Sequence, residues 1–302
     1  MHILVSGSSG LIGSAFLRFL REQGHSATLL RRPETRLHPE QKFGYMGWDP
    51  DNGHLDAEGI HRMDAVVHLA GENIAGGRWT ASRKARIRDS RVKSTRLIAE
   101  SIASRPQPPK VLVSASAIGF YGDRGDELLD EESPAGKGYL AEVCQAWEAA
   151  TEPAQKGGIR VVQVRIGVVL DPNGGALGKM LLPFRLGLGG VIGSGRQYWS
   201  WVHVNDVVGA IWHAIATESL SGPLNAVAPT AATNQEFTKT LGGVLGRPTI
   251  LPMPALAASL ALGEMAKALL LASARVTPKR LTDTNYKFRY PDLEGALKNL
   301  LG

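Results

Sequence analysis

Three glycines at a spacing of three, Gly7, Gly10 and Gly13, follow an apolar run from His2 to Val5. They open a stretch in which Leu11, Ile12, Ala15, Phe16 and Leu20 recur at helical spacing. This order reads as a buried strand, a tight turn and a helix. The glycines let the backbone turn sharply, leave room for a pyrophosphate and let the helix lie close to the strand. The first helical N–H groups and the helix dipole then face the phosphates. The spacing is G-x-x-G-x-x-G instead of the usual G-x-G-x-x-G, so the strand–turn–helix context carries the dinucleotide reading. Ser9, Leu11 and Ile12 are expected to contact the cofactor together with the three glycines.

The alternation continues. Strands are expected at Ser26–Arg31, 65–69, 111–115 and 160–169, with helices over a basic stretch ending near 104 and over 139–155. Apolar strands alternating with helices imply a parallel sheet covered on both faces, hence an α/β, doubly wound Rossmann domain. After Asp171 glycine and proline cluster, and helices mix with Pro-rich loops. We therefore expect a cofactor domain over 1–170, its sheet completed by part of 196–230, and a smaller, mainly C-terminal α/β substrate lobe over 171–302. Residues 182–195 read as a helix ending in a glycine-rich loop. Residues 251–274 are apolar but interrupted by Glu264 and Lys267, which predicts a packed helix and not a membrane span.

A lone cysteine, Cys144, excludes an internal disulfide and a multi-cysteine metal site, so no metal is expected. The first residues read as a core strand and not as a leader, the expectation for a cytoplasmic protein. The net charge of +6 raises nucleic-acid binding, but the basic residues 78–96 run round a helix without base-stacking aromatics apart from Trp79. The expected partner is a small-molecule substrate, with neither nucleic acid nor membrane, for a monomer or homodimer.

Cofactor choice is read at the end of the second strand. An acidic residue there would hold a ribose 2′-hydroxyl. This chain has Arg31 and Arg32, and guanidinium groups match a 2′-phosphate, so NADP(H) is expected. The next strand ends in Leu69, Ala70 and Gly71, small enough for a dinucleotide to lie against its edge. His68 on that strand reads as structural.

These segments resemble the extended short-chain dehydrogenase/reductases, the superfamily of nucleotide-sugar epimerases and dehydratases. The landmarks are residues 7–13, 64–71, Ser-Ala-Ser-Ala-Ile-Gly-Phe-Tyr-Gly at 114–122 and Trp-Val-His-Val-Asn-Asp-Val at 201–207. Residues 71–74, 165–170, 180–195 and 224–229 are similar to one atypical branch, the "epimerase family protein" group. The part from about 250 resembles that branch's own C-terminal domain. The resemblance implies an oxidoreductase or isomerase of epimerase type, acting on a nucleotide-sugar-like or other small carbonyl or hydroxyl compound.

It also implies a catalytic Ser116, with Ser114 as its neighbour, and a catalytic Tyr139 at the start of a helix. Ser90, Ser114 and Arg165 complete the implied cofactor contacts, and Tyr121, Arg185, Arg196 and Trp201 the substrate side. Trp199 and His203 add surface beside the glycine-rich loop. The superfamily's Tyr-x-x-x-Lys lysine is Val143 here. Valine can neither hold a ribose nor stabilise a phenolate, so three readings stand. Tyr139 acts as a neutral general acid, another cation such as Lys137 substitutes, or the chain is a noncatalytic NADP(H) sensor or scaffold. Glu142 and Glu148 read as solvent-facing, and Asp206 as the cap of a helix starting at Val207.

Overall fold

The computed structural model describes residues 1–32, 43–56 and 59–302. From the N-terminus run β1 (His2–Ser6), α1 (Leu11–Glu22), β2 (Ser26–Arg31), β3 (Gly44–Asp49), β4 (His54–Leu55) and β5 (Ala65–His68). They are followed by α2 (Ala81–Ala103), β6 (Val111–Ala117), β7 (Leu128–Leu129), α3 (Tyr139–Ala149), α4 (Glu152–Lys156) and β8 (Arg160–Ile166). The later elements are β9 (Val168–Asp171), α5 (Gly175–Arg185), β10 (Tyr198–Trp199), β11 (Trp201–His203), α6 (Val204–Ala216), β12 (Gly222–Ala226), β13 (Ala232–Thr233), α7 (Asn234–Leu245), α8 (Ala255–Leu262) and β14 (Arg275–Val276). A last helix spans Leu293–Leu301.

One sheet organises the molecule, in the order β12-β8-β6-β5-β1-β2-β3-β4. All its neighbours are parallel except β3 and β4. The chain builds outward from β1 in both directions, so the strand order reverses beside β1, where open α/β sheets bind ligands. Strand residues such as Ile3, Val5, Val67 and Val113 pack on one face with Phe16 and Leu20 of α1 and Val207 and Ile211 of α6. Leu4, Val66, Leu112 and Val161 pack on the other with Ile98 and Ile102 of α2. Both faces are therefore covered, which is the doubly wound Rossmann arrangement.

Several expected boundaries shift for identifiable reasons. The 139–155 helix breaks after Ala149, and α4 restarts with Pro153 in its first turn, where proline's missing N–H costs nothing. The strand expected over 160–169 divides at Gly167, where an added Cβ would fall 2.4 Å from the Ser200 carbonyl oxygen. Beyond it β9 leaves the main sheet and pairs with β11. The helix expected over 182–195 ends at Arg185. Asp206 lies inside α6 and does not cap it; the cap is His203, whose ring nitrogen accepts the Asn205 N–H. The Asp206 carboxylate instead accepts the N–H groups of Arg289 and Tyr290 at 2.8 and 2.9 Å and so ties down the C-terminal segment. That segment also adds β14 beside β7.

The basic helix α2 is not solvated all round. Ile87, Ser94, Thr95, Ile98 and Ile102 are buried, and Thr95 accepts the Trp147 indole N–H at 2.9 Å. Ser94 reaches His68, the polar centre of the sheet's ligand-facing end. The fully buried His68 ring bonds Ser6 Oγ at 2.5 Å and Ser94 Oγ at 3.1 Å. Among the described residues no helix is long and apolar enough to cross a membrane, and no group of acidic, His or Cys residues is arranged to hold a metal.

Burial, reinforced by the nearby Arg91 guanidinium, pushes the His68 pKa down to about 3. The unfolded chain takes up a proton near pH 6.5 that the native state refuses, so His68 stabilises the fold above that pH. Its contribution is lost as pH falls, at about 1.4 kcal/mol per pH unit. Urea unfolding of wild type and His68→Gln across this range tests it. The variant, less stable at neutral pH, converges on the wild type as the solution is acidified; a pH-independent difference would contradict a neutral buried imidazole.

Candidate cofactor site and reacting end

The carboxyl ends of β1, β2, β3 and β5 enclose a cavity of about 370 Å³. The structure brings Gly7, Ser9, Gly10, Arg31, Arg32, Leu69, Ala70, Gly71 and Ser90 together around it. Leu11, Ile12 and Gly13 form the first turn of α1. Gly7 has φ +71°, and a Cβ there would lie 2.6 Å from the Ala70 nitrogen; a Cβ on Gly13 would lie 2.2 Å from the Gly7 carbonyl oxygen. Only glycine permits both approaches. Gly10 caps α1 without a side chain, and no acidic residue occupies the first turn. The helix N-terminus is thus built for an anion.

The two arginines differ. Arg31 lines the cavity with its guanidinium 5.7 Å from the Tyr45 ring centre, and its buried Nε has no hydrogen-bond partner among the described residues. Arg32 pairs with Asp51 at 3.3 Å on the surface. A buried guanidinium N–H without an acceptor is costly unless a ligand completes it. The residues present therefore fit a dinucleotide carrying a phosphate on its adenosine ribose.

Sequence reasoning missed the far wall, Tyr45 and Trp48, because the strand that carries them is short, contains two glycines and lies near the sheet edge. It also missed Arg91 of α2. This guanidinium donates to the Ile87 and Glu72 carbonyls at 2.9 and 3.1 Å and lies 5.0 Å from the Trp147 ring centre. A Cβ on Gly71 would meet its Cζ at 3.2 Å. A cation therefore stands beside the β5 end, on the side of the cavity away from Arg31.

At the end of β6 the geometry departs from the expectation. Ser116 does not bond Tyr139; its hydroxyl donates to Glu148 Oε1 at 2.7 Å. Glu148, expected at the surface, accepts two further bonds from Arg165, Nε at 2.8 Å and Nη2 at 2.9 Å. The side chains of Arg165 and Glu148 are only 4% and 14% exposed, and Arg165 stacks 3.4 Å from the Phe120 ring centre. Arg165 does not line the cofactor cavity, because Glu148 and Tyr121 engage it. Ser114 lies deeper in β6, buried, with its hydroxyl on the Ala115 carbonyl.

Tyr139 faces the other way. Its hydroxyl donates to the Lys84 carbonyl at 2.7 Å, its ring meets Trp79 edge-on, and Lys84 Nζ lies 4.9 Å from its centre. Nine residues of helix, about 13 Å of rise, separate Tyr139 from Glu148. Burial holds the phenol above its ordinary pKa, opposed chiefly by Arg91. Val143 and Cys144 are buried, and burial raises the thiol pKa to about 12. Lys137 is exposed.

On the expected substrate side, Arg185 and Arg196 are exposed, whereas Trp201 and Tyr121 are core residues. Trp199 and His203 are buried as well, the latter stacked 3.9 Å from Tyr290. The Tyr121 hydroxyl accepts from Arg165 at 3.0 Å and lies 2.8 Å from Asn225 Oδ1. These tryptophans face inward because β10 and β11 pack under α7 and the last helix, where the apolar side of the lobe closes.

The family model for the NAD dependent epimerase/dehydratase family matches residues 3–226, and a domain of unknown function, DUF1731, matches 253–300. The chain is 41% identical over 295 residues to an epimerase family protein of Mycobacterium bovis, covering 98% of this chain and 96% of that one. It is 39% identical over 305 residues to the Homo sapiens epimerase family protein SDR39U1, covering all of both. The crystal structure of human SDR39U1 (isoform 2) with NADPH superposes with a TM-score of 0.90 over 99% of each chain at 39% identity. UDP-glucose 4-epimerase of Thermotoga maritima, 19% identical with a TM-score of 0.77 over 99% of this chain and 96% of that one, shares the fold. The chain belongs to the NAD dependent epimerase/dehydratase family.

Proposed function

We propose that this chain binds NADP(H) in the β1–β5 cavity and acts as an oxidoreductase or epimerase-like enzyme on a small carbonyl or hydroxyl compound. The observation that carries the cofactor half is Arg31, a cavity-lining cation whose buried Nε has no partner among the described residues, where a NAD site would offer a carboxylate. The human relative solved with NADPH supports the same reading. Gly7, Ser9, Gly10 and the first turn of α1 would hold the pyrophosphate, and Arg31 the 2′-phosphate. Leu69, Ala70, Gly71 and Arg91 would flank the half that points toward β6. Bound there, the dihydronicotinamide supplies a hydride.

The chain's own residues favour reduction. Tyr139 has its pKa raised, so it is a protonated phenol at neutral pH, able to give a proton to a carbonyl oxygen and poorly suited to removing one. To act, its hydroxyl must leave the Lys84 carbonyl. Ser116 is the second polar group at the strand end, oriented by Glu148 and, through it, by Arg165. A second reading, binding without catalysis, is favoured by two facts: the Tyr139 hydroxyl is already satisfied by backbone, and Val143 stands where a lysine would assist it.

Incubation with NADPH deuterated at the transferable C4 position and fractionated metabolite extract separates the two. The reductase reading expects label in a product, with transfer slowed about a hundredfold in Tyr139→Phe. Transfer at an unchanged rate in that variant removes Tyr139 from the chemistry. Saturation with NADPH and no label in any fraction favours binding without catalysis.

A further inference from the structure

Residues 251–274 were expected to be a packed helix. Instead α8 stops at Gly263 (φ +63°), and its outer face is bare: Leu256 and Leu260 are 71% and 69% exposed, with Ile250 ahead of them at 79%. Leu182, Leu186 and Leu188, at the end of α5 and just beyond it, are 67%, 64% and 58% exposed. The two segments are stitched into one surface. The Met253 N–H donates to the Val191 carbonyl at 2.8 Å, and the Gly193 N–H donates to the Met253 carbonyl at 2.9 Å. Pro248 lies against Gly187. Away from this face, only Met1, Tyr45 and Leu128 are comparably exposed large apolar side chains among the described residues. Such a concentration marks an interaction surface.

Its charge selects the partner. Residues 172–205 contain Lys179, Arg185 and Arg196 and no Asp or Glu; residues 237–263 contain Lys239 and Arg247 and again no Asp or Glu. Arg185 sits between Leu182 and Leu186, and Arg247 adjoins Pro248 at the seam; both are exposed. A two-fold contact between copies would gather four like charges, Arg185 and Arg247 from each, at one seam. Protein interfaces are anchored chiefly by Trp, Tyr and Arg, whereas the large apolar side chains exposed on this face are Leu and Ile with Met253, and none is aromatic. The carboxylate beside Leu260, Glu264, is paired with Lys84 at 2.9 Å. Aliphatic side chains projecting from a surface on which Arg185 and Arg247 stand exposed match the boundary between anionic headgroups and acyl chains. We infer that this face docks on anionic lipid bilayers, lying on the surface without crossing it. The expectation of no membrane partner rested on the lack of a span, which surface docking does not need.

Flotation of the full chain with vesicles of phosphatidylcholine alone, or phosphatidylcholine with phosphatidylglycerol, tests the inference. The wild type is expected to float with the anionic vesicles, less so at high salt, and only weakly with the neutral ones. Leu256→Ser/Leu260→Ser should cut binding about tenfold or more, with an unchanged circular dichroism spectrum and sedimentation coefficient. Arg185→Gln/Arg247→Gln should erase the preference for anionic lipid. Failure to float with either vesicle overturns the inference and leaves a protein partner for the face. Wild-type self-association that the double leucine variant abolishes, without flotation, overturns it in favour of a second copy.

Discussion

The contact on which the rest of this molecule depends is backbone against backbone at the first turn. Gly7 turns left-handed against the end of β5, and Gly13 brings α1 so close that a methyl group would overlap the Gly7 carbonyl oxygen. Because both approaches are made without side chains, the first N–H groups of α1 face the sheet's reversal point. The cavity between β1, β2 and β5 follows from that placement. Ser6, His68 and Ser94 form the buried polar floor beneath it, and the low pKa of His68 keeps that floor uncharged. The anion-binding end thus meets a neutral interior on one side and Arg31 on the other.

Where related chemistry relies on a lysine one helical turn after the tyrosine, this chain has invested its buried charge elsewhere. Glu148 and Arg165 form a bidentate pair under the end of β6, extended by Ser116 on one side and by Tyr121 and Asn225 on the other. A buried pair of this kind gains little net stability over apolar packing, but losing one partner strands the other charge. Its effect here is to fix the Ser116 hydroxyl and the Phe120–Tyr121 turn in one orientation. Arg91, reaching Gly71 from α2, supplies a cation on the cofactor side. Positive charge at this site comes from Arg91 of α2 and Arg165 of β8, the carboxylate from Glu148 of α3, and Val143 of α3 is left to packing.

What was legible in the sequence was local. The strand–turn–helix opening, the Arg31–Arg32 pair and the small residues ending β5 each declare themselves within a few positions, and the cavity assembles from them. What was not legible depends on distant partners. Asp206 looks like a helix cap in its own neighbourhood, yet its acceptors serve N–H groups more than eighty residues later. Glu148 looks solvated, yet it lies on the same inward stripe of α3 as the buried Ala141 and Cys144. Arg165, in an apolar parallel strand, was the sign that a carboxylate must face it. Trp201 and Tyr121 read as binding surface because aromatics often are; the lobe's own core claims them. The uncharged stretch before Glu264 gave the opposite error, since apolar composition does not say which partner buries it.

The central claim is that Arg31 makes the cavity a site for a 2′-phosphorylated dinucleotide. Calorimetric titration of NADPH and NADH into wild type and Arg31→Gln tests it directly. The account predicts wild-type binding of NADPH about tenfold to a hundredfold tighter than NADH, the worth of a charge-assisted contact. It also predicts that Arg31→Gln removes most of that difference by weakening NADPH alone. Equal affinities in the wild type, or a preference that survives the substitution, would contradict it.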